Sequence, residues 1–389
     1  MGTLSLNGVT KKYGAVTAVD EITLDVPDGE FFVILGPSGA GKTTTLKSIA
    51  GLVDIDAGSV HINDVDMTLV EPYHRNVAMA FESYALYPQK TVRENLASPL
   101  KSGRVGKYDA AQQQERIDLV TKTLGINHLL DRLPRELSNG QRQRTALGRV
   151  LVRPAEIYLL DEPLSHLDAK LRAAMRAELK SIAQKSSTTT VYVTHDYQEA
   201  LALGDRIAVL KAGRFVQIGT PTEMWRRPVD TFVARAIGQP EMNLIDAHVE
   251  GDTIVMTGCG VLFPAPDDMG LVEGQKLRLG MRPNELHVVP TGAPAPYGWV
   301  AAPGHVRLAE RLGRDVEVDV EVGSDSLIAV VNGDHAPAEG AAVDVLIHLP
   351  NLHVFAGGEP GEDTARLGSV LGRNRGAALP EAANREALS

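Results

Sequence analysis

Apolar positions along the chain fall into contrasting textures. Over residues 1–35 they sit in short strand-type stretches: Leu4–Val9 and Ile22–Val26 are separated by Gly, Pro and Asp turns, and Phe31–Leu35 is an unbroken apolar run that stops at Gly36. Such a run suits a strand buried on both faces of a parallel sheet. Ile157–Leu160, Thr190–Thr194 and Ile207–Leu210 have the same texture. Between them, helical spacing predicts helices over Thr43–Gly51, Ala110–Leu124, Gln141–Arg153 and Ala169–Lys185, with Pro154 closing the third. Strands alternating with helices predict a parallel α/β sheet. From about 85 to 153 the pattern is mostly helical, so this stretch reads as an inserted helical subdomain.

After about 235 the texture changes again. Leu277–Leu279, Leu286–Val289, Val316–Val322, Ser326–Val331 and Val343–His348 are short, several alternate in polarity, and Gly and Pro turns separate them. That predicts a small β-barrel or sandwich. From about 356 onward large apolar groups thin out among Gly, Ala, Glu and Arg, the composition of a flexible tail. The organisation expected is therefore a domain over 1–235 with its helical subdomain at about 85–153, a second over 236–355, and a tail over 356–389.

Composition narrows the function. The 389 residues carry 39 Lys+Arg against 49 Asp+Glu, a net charge of −10. A general phosphate-backbone binder is normally basic, so no nucleic-acid partner is expected. The single cysteine, Cys259, cannot form an internal disulfide or a paired-cysteine zinc site. No apolar run is long enough to span a bilayer, and residues 1–7 lack a basic-then-apolar leader pattern. The expected compartment is the cytoplasm, with docking on a membrane protein left open.

The chemistry begins at Gly36-Pro37-Ser38-Gly39-Ala40-Gly41-Lys42-Thr43, which follows a strand and opens a helix at Thr44. Spacing and context match a phosphate-cradling loop. Glycines let the backbone wrap phosphates, and successive N–H groups at the helix start face negative charge. Lys42 can reach the β- and γ-phosphates, and Thr43 can put its hydroxyl on Mg²⁺. Ile157–Leu160 then delivers Asp161 and Glu162 to a strand's carboxyl end, where α/β sheets bind ligands. Asp161 is placed to hold the metal and Glu162 to activate water as a general base. Leu137-Ser138-Asn139-Gly140-Gln141 supplies a second anion site at a helix start. A second γ-phosphate sensor makes sense if it serves ATP held by a different subunit.

That last segment resembles the LSGGQ signature of ABC-transporter ATPases, with Asn139 in place of the first glycine. Further motifs follow in the family's order. Tyr13 matches the aromatic that stacks on adenine, Ser165-His166-Leu167-Asp168 the loop that crosses the dimer interface, and Thr194-His195-Asp196 the switch histidine that contacts γ-phosphate. Ser83–Pro88, Met242-Asn243-Leu244 and Gly280-Met281-Arg282-Pro283 are similar to landmarks of maltose-type and glycerol-phosphate-type importer ATPases, a resemblance that covers residues 1 to about 355. It implies a P-loop NTPase parallel sheet with an antiparallel β subdomain and the inserted helical subdomain, followed by a small OB-like β-barrel that regulates or helps the protein dimerise. It also implies an ATPase with ATP and Mg²⁺ as cofactors. Gly36, Ser38, Gly39, Gly41, Lys42, Thr43, Thr44, Ser138, Gly140, Gln141 and Asp168 would contact nucleotide. Glu162, His195 and Lys42 would be catalytic.

The family's glutamine before Ser-Tyr-Ala-Leu-Tyr-Pro is Glu82 here. A carboxylate can ligate Mg²⁺, but two like charges about 4 Å apart repel by roughly 4 kcal/mol at an effective dielectric of 20. In a head-to-tail dimer a homodimer would carry Glu82 and Asn139 in both sites; a heterodimer with a related ATPase would separate them. Both stay open. The implied partners are a second ATPase subunit, two transmembrane permease subunits and an extracytoplasmic solute-binding protein, with this chain peripheral on the cytoplasmic face of the cell (inner) membrane. The implied solute is a carbohydrate, polyol or glycerol-phosphate-like molecule. The alternatives are an ion or polyamine importer and a non-transport ABC ATPase.

Overall fold

The computed structural model describes residues 2–81, 86–101, 108–165, 167–186, 188–266, 269–359 and 361–370. They divide into two compact units, Met1–Arg226 and Arg227–Ser389.

In the first unit, β1 (Leu4–Tyr13) and β2 (Val16–Val26) form an antiparallel hairpin, joined on β1's other edge by β4 (Ala57–Ile62) and then β5 (Val65–Asp66). The main sheet runs β10-β9-β3-β8-β7-β6, built from β3 (Phe31–Leu35), β6 (Val77–Ala80), β7 (Ile157–Asp161), β8 (Thr189–Thr194), β9 (Arg206–Lys211) and β10 (Arg214–Gly219). All neighbours are parallel except β9 and β10. Every residue of β3, β7 and β8 is buried, the signature of strands covered on both faces. Each large aliphatic side chain buried there contributes about 1.5–3 kcal/mol. The helices are α1 (Lys42–Ala50), α2 (Val92–Lys101), α3 (Ala110–Thr123), α4 (Asn139–Leu151), α5 (Ala169–Ser186), α6 (Tyr197–Leu203) and α7 (Pro221–Arg226). Among the described residues of the inserted stretch, α2 and α3 are followed by two short 3₁₀ turns and then α4, and no strand intervenes before β7.

Register positions the site. Leu35 pairs with Thr194, and Asp161 with Val193, so three neighbouring parallel strands end at nearly the same level. The phosphate loop leaves β3, His195 follows β8, and Glu162 follows β7. Parallel strands all point their carboxyl ends to one side, so residues far apart in sequence converge there.

The second unit opens with α8 (Thr231–Ala236) and contains two sheets with a shared apolar core. One runs β13-β12-β11-β14-β20-β21, from β11 (Asn243–Glu250), β12 (Thr253–Met256), β13 (Leu262–Pro264), β14 (Lys276–Met281), β20 (His353–Ala356) and β21 (Arg366–Ser369). The other runs β15-β19-β16-β17-β18, from β15 (His287–Pro290), β16 (Trp299–Leu312), β17 (Asp315–Val322), β18 (Asp325–Asn332) and β19 (Ala342–His348). Asn243 pins the two together: its Nδ2 donates to the Met281 carbonyl (3.2 Å) and the Ile328 carbonyl (2.8 Å), and its Oδ1 accepts from Ile328 N (2.8 Å).

The expectation of a flexible tail from 356 fails for residues 361–370. β21 pairs with β20, and Thr364 is buried, accepting from Thr231 N (3.0 Å) and donating its own N–H to Thr231 Oγ1 (2.9 Å). A strand poor in large apolar groups is held by ladder partners distant in sequence, which composition does not report. Thr231–Ala236 joins the second unit through these bonds, so the units divide ahead of the expected residue 235. Residues 371–389 lie outside the described residues. Among the described residues no helix is long and apolar enough to cross a membrane.

Candidate functional site

α1 begins at Lys42 with Gly41 as N-cap, no side-chain cap and no acid in its first turn. Its first N–H groups are left for an anion, which the helix dipole favours. Gly41 holds φ +109° and Gly39 φ +80°. A Cβ at Gly41 would collide with the Ala18 carbonyl oxygen, which the β1–β2 hairpin presents to the loop. Lys42 is 6% exposed, and its Nζ donates to the carbonyls of Gly36 (2.9 Å) and Pro37 (3.1 Å). It therefore lies folded over the loop that it serves.

Three side chains meet at the strand ends. Glu162 Oε1 lies 3.4 Å from Lys42 Nζ, and Glu162 Oε2 lies 2.8 Å from His195 Nδ1. Facing a carboxylate, Nδ1 is the donor. Glu162 takes φ +44°, uncommon for a side chain that long, and its N–H donates to the Val193 carbonyl (3.1 Å). Buried Asp161 accepts from the Thr43 hydroxyl at 3.1 Å. These groups open on a cavity of about 480 Å³ lined by Ala18, Ser38, Gly39, Gly41, Lys42, Thr43, Thr44, Glu162 and His195.

Among the described residues, the remaining expected ones are not part of that lining. Tyr13 ends β1, half-exposed, with Lys11 Nζ 5.4 Å from its ring centroid. Exposed Ser138 caps α4 in a reciprocal pair: Gln141 N donates to Ser138 Oγ (3.3 Å) and Ser138 N to Gln141 Oε1 (2.9 Å). Asn139 is the first residue of that helix, has no positive φ, and accepts from the Arg142 guanidinium, so the substitution for glycine needs no unusual backbone here. A Cβ at Gly140 would stand 3.2 Å from Leu167 Cδ2. Asp168 is exposed and caps α5, accepting from Leu171 N at 2.9 Å. Glu82, Ser83–Ala85 and His166 lie outside the described residues.

Sequence reading missed the support of His195. Glu199, 2% exposed, accepts at Oε2 from the Tyr192 hydroxyl (2.8 Å) and the Thr194 hydroxyl (2.8 Å). Burial raises the Glu199 carboxyl above the ordinary glutamate range, with the two hydrogen bonds pulling the other way. Tyr192 is pushed well up by burial and by the neighbouring Glu199. The spacing Thr194…Glu199 is the one signal available in the sequence, and it points equally well to an ordinary helix start. Ala18 carries no signal at all, because what it supplies is a carbonyl.

Comparison with known proteins gives a consistent set. The ABC transporter family profile matches residues 19–165, and the MalK OB fold domain profile matches residues 238–286. The trehalose/maltose import ATP-binding protein MalK of Thermococcus litoralis is 43% identical over 91% of this chain and 98% of its own length. The sn-glycerol-3-phosphate import ATP-binding protein UgpC of Cereibacter sphaeroides is 44% identical over 91% of this chain and 98% of its own. Among solved structures, the dimeric structure of MJ0796, a bacterial ABC transporter cassette, is 30% identical with a TM-score of 0.53, over 56% of this chain and 98% of that one. A second structure of that cassette, dimeric in a post-hydrolysis state bound to ADP and Pi, has a TM-score of 0.52 at 30% identity over 56% of this chain and 98% of that one.

Proposed function

This chain belongs to the import ATP-binding proteins of the ABC transporter family, and from that membership we propose that it hydrolyses ATP to drive uptake of a carbohydrate, polyol or glycerol-phosphate-like solute through separate membrane-spanning subunits. The observation that carries the catalytic reading is the Glu162 carboxylate, held between Lys42 Nζ and His195 Nδ1 at the mouth of the phosphate loop.

In this reading the loop amides of residues 36–44 and Lys42 bind the triphosphate, and Tyr13 offers its ring to adenine. Glu162 orients a water and takes its proton, with its Oε2 held by His195 Nδ1 at 2.8 Å. Lys42 and His195 stabilise charge on the transferred group. The Thr43 hydroxyl and the buried Asp161 carboxylate, 3.1 Å apart, are the hard oxygen donors that Mg²⁺ takes. When bound there, the ion would neutralise phosphate charge. Glu82 is proposed as a further ligand.

Ser138, Gly140, Gln141 and Asp168 stand away from this chain's own cavity. That supports the reading in which they complete a site on a second ATPase subunit, ATP being gripped from both sides and closing the pair. Two permeases and a solute-binding protein complete the proposed assembly at the cytoplasmic face of the membrane. The segment around Glu82–Pro88 is proposed to receive a permease helix.

The test uses the purified full-length chain. Glu162→Gln is expected to bind ATP as wild type does while turnover falls by about 10²–10⁴-fold, the usual worth of a general base. Lys42→Ala is expected to lose nucleotide affinity, and cells dependent on it to lose solute uptake. Wild-type hydrolysis by Glu162→Gln would overturn the assignment.

A further inference from the structure

We propose that Arg172 is a positioning residue for this reaction: it ties the loop ending at Leu167–Asp168 to the turn that carries His195. The inference rests on the reading of His195 and Glu162 above.

Arg172 lies in the first turn of α5, its N–H donating to the Asp168 carbonyl at 2.8 Å. Its guanidinium divides between two loops. Nη2 donates to the Leu167 carbonyl at 3.1 Å, and Nη1 to Asp196 Oδ2 at 3.2 Å. Nε is buried without a hydrogen bond and faces Glu199 Oε1 at 4.0 Å. Asp196 is itself fixed: its Oδ1 caps α6, accepting from Gln198 N (2.8 Å) and Glu199 N (3.4 Å), and its own N–H donates to Thr194 Oγ1 (2.9 Å). The backbone is thus held on both sides of His195. The imidazole between them is 58% exposed and meets Glu162. Its position is set by that turn more than by packing around the ring.

A planar fork suits this task. Arginine serves two acceptors in different directions at once, whereas a lysine ammonium acts as a point charge on a flexible stem. The cation also stands beside two carboxylates, Asp196 and the buried Glu199. Removing it leaves them facing each other, a repulsion relieved by moving the turn. Leu167 is in addition the side chain that limits space at Gly140. Contacts therefore run from Leu167 through Arg172 and Asp196 to the turn that carries His195, and from His195 to Glu162. Contiguity alone does not establish coupling, so the experiment must read His195 itself.

The experiment compares full-length wild type, Arg172→Met and Arg172→Lys by the imidazole NMR spectrum of histidine-labelled protein, with His195→Gln assigning the His195 resonance, and by steady-state ATP hydrolysis. In Arg172→Met the His195 resonance is expected to shift while the other imidazoles stay in place. The kcat is expected to fall by about 10- to 100-fold, with KM for ATP changed by no more than about twofold, as for a misplaced catalytic group. Arg172→Lys should recover part of both effects. An unmoved His195 resonance overturns the proposal, and so does an unchanged kcat. If Arg172→Met does not fold, Arg172→Lys carries the same two readouts. A wild-type chain that does not hydrolyse ATP would instead count against the function proposed above, and is measured first.

Discussion

Gly39 and Gly41 both hold left-handed backbone in the phosphate loop, but for different reasons. No described protein atom lies within 4 Å of a Cβ built at Gly39, so within the chain its φ of +80° is the constraint. At Gly41 the Ala18 carbonyl oxygen occupies the space as well. Gly39→Ala should therefore cost about 1 kcal/mol in backbone strain, whereas Gly41→Ala must also displace the β1–β2 hairpin and should lose more in both stability and nucleotide binding. Isothermal titration with ATP, alongside a thermal melt, separates the two. Equal loss in both variants would mean that conformation alone, and not the neighbouring carbonyl, sets the loop.

At the scale of an element, β20 holds a residue whose titration the strand controls. His353 is 6% exposed, and burial, with Arg282 and Arg366 adding, lowers its pKa from 6.5 to about 3. Its Nδ1 accepts from Arg366 Nε of the paired strand β21 at 3.4 Å, a bond that requires the neutral ring. A depressed folded pKa means that the unfolded chain binds the proton first. The contribution is complete above about pH 6.5 and is lost as pH falls toward 3, at about 1.4 kcal/mol per unit. Denaturant titration of the second unit should show that acid limb, and His353→Gln, whose amide oxygen can still accept from Arg366, should flatten it between pH 6.5 and 4. An identical limb in the variant would assign it to carboxylates instead. At α4 the reciprocal Ser138–Gln141 cap implies that Ser138→Ala costs about 1 kcal/mol of stability in the isolated chain, besides any loss in an assembled dimer.

For the molecule as a whole, the proposed function makes the cavity one half of a nucleotide site and the signature helix the other half of a different one. Glu162→Gln, expected to hydrolyse only slowly, should accumulate as an ATP-dependent dimer in analytical ultracentrifugation, and Ser138→Ala in that background should weaken it. If Glu162→Gln remains monomeric with ATP and Mg²⁺ even beside its membrane partners, the shared-site reading fails. With a net charge of −10, the chain should not pellet with anionic lipid vesicles unless permease subunits are present. Membrane attachment is expected to come from those subunits and not from the lipid surface.

By itself the sequence determined whatever is local. Gly36–Thr43 between an apolar run and a helix, the acid pair closing Ile157–Leu160, and the alternation of Val316–Val322 each encode their own conformation through steric freedom, burial or period, so strand, loop and expected chemistry could be read together with the resemblance they carry. Tertiary structure decided what depends on distance. Only the parallel register of β3, β8 and β7 brings Lys42, His195 and Glu162 within hydrogen-bonding and ion-pair reach. Only the fold shows that Arg172 spans two loops, that an Ala18 carbonyl shapes the phosphate loop, and that residues 366–369 form a strand. Backbone groups and long-range pairings have no letter of their own in the sequence, because their energy exists only once distant segments have met.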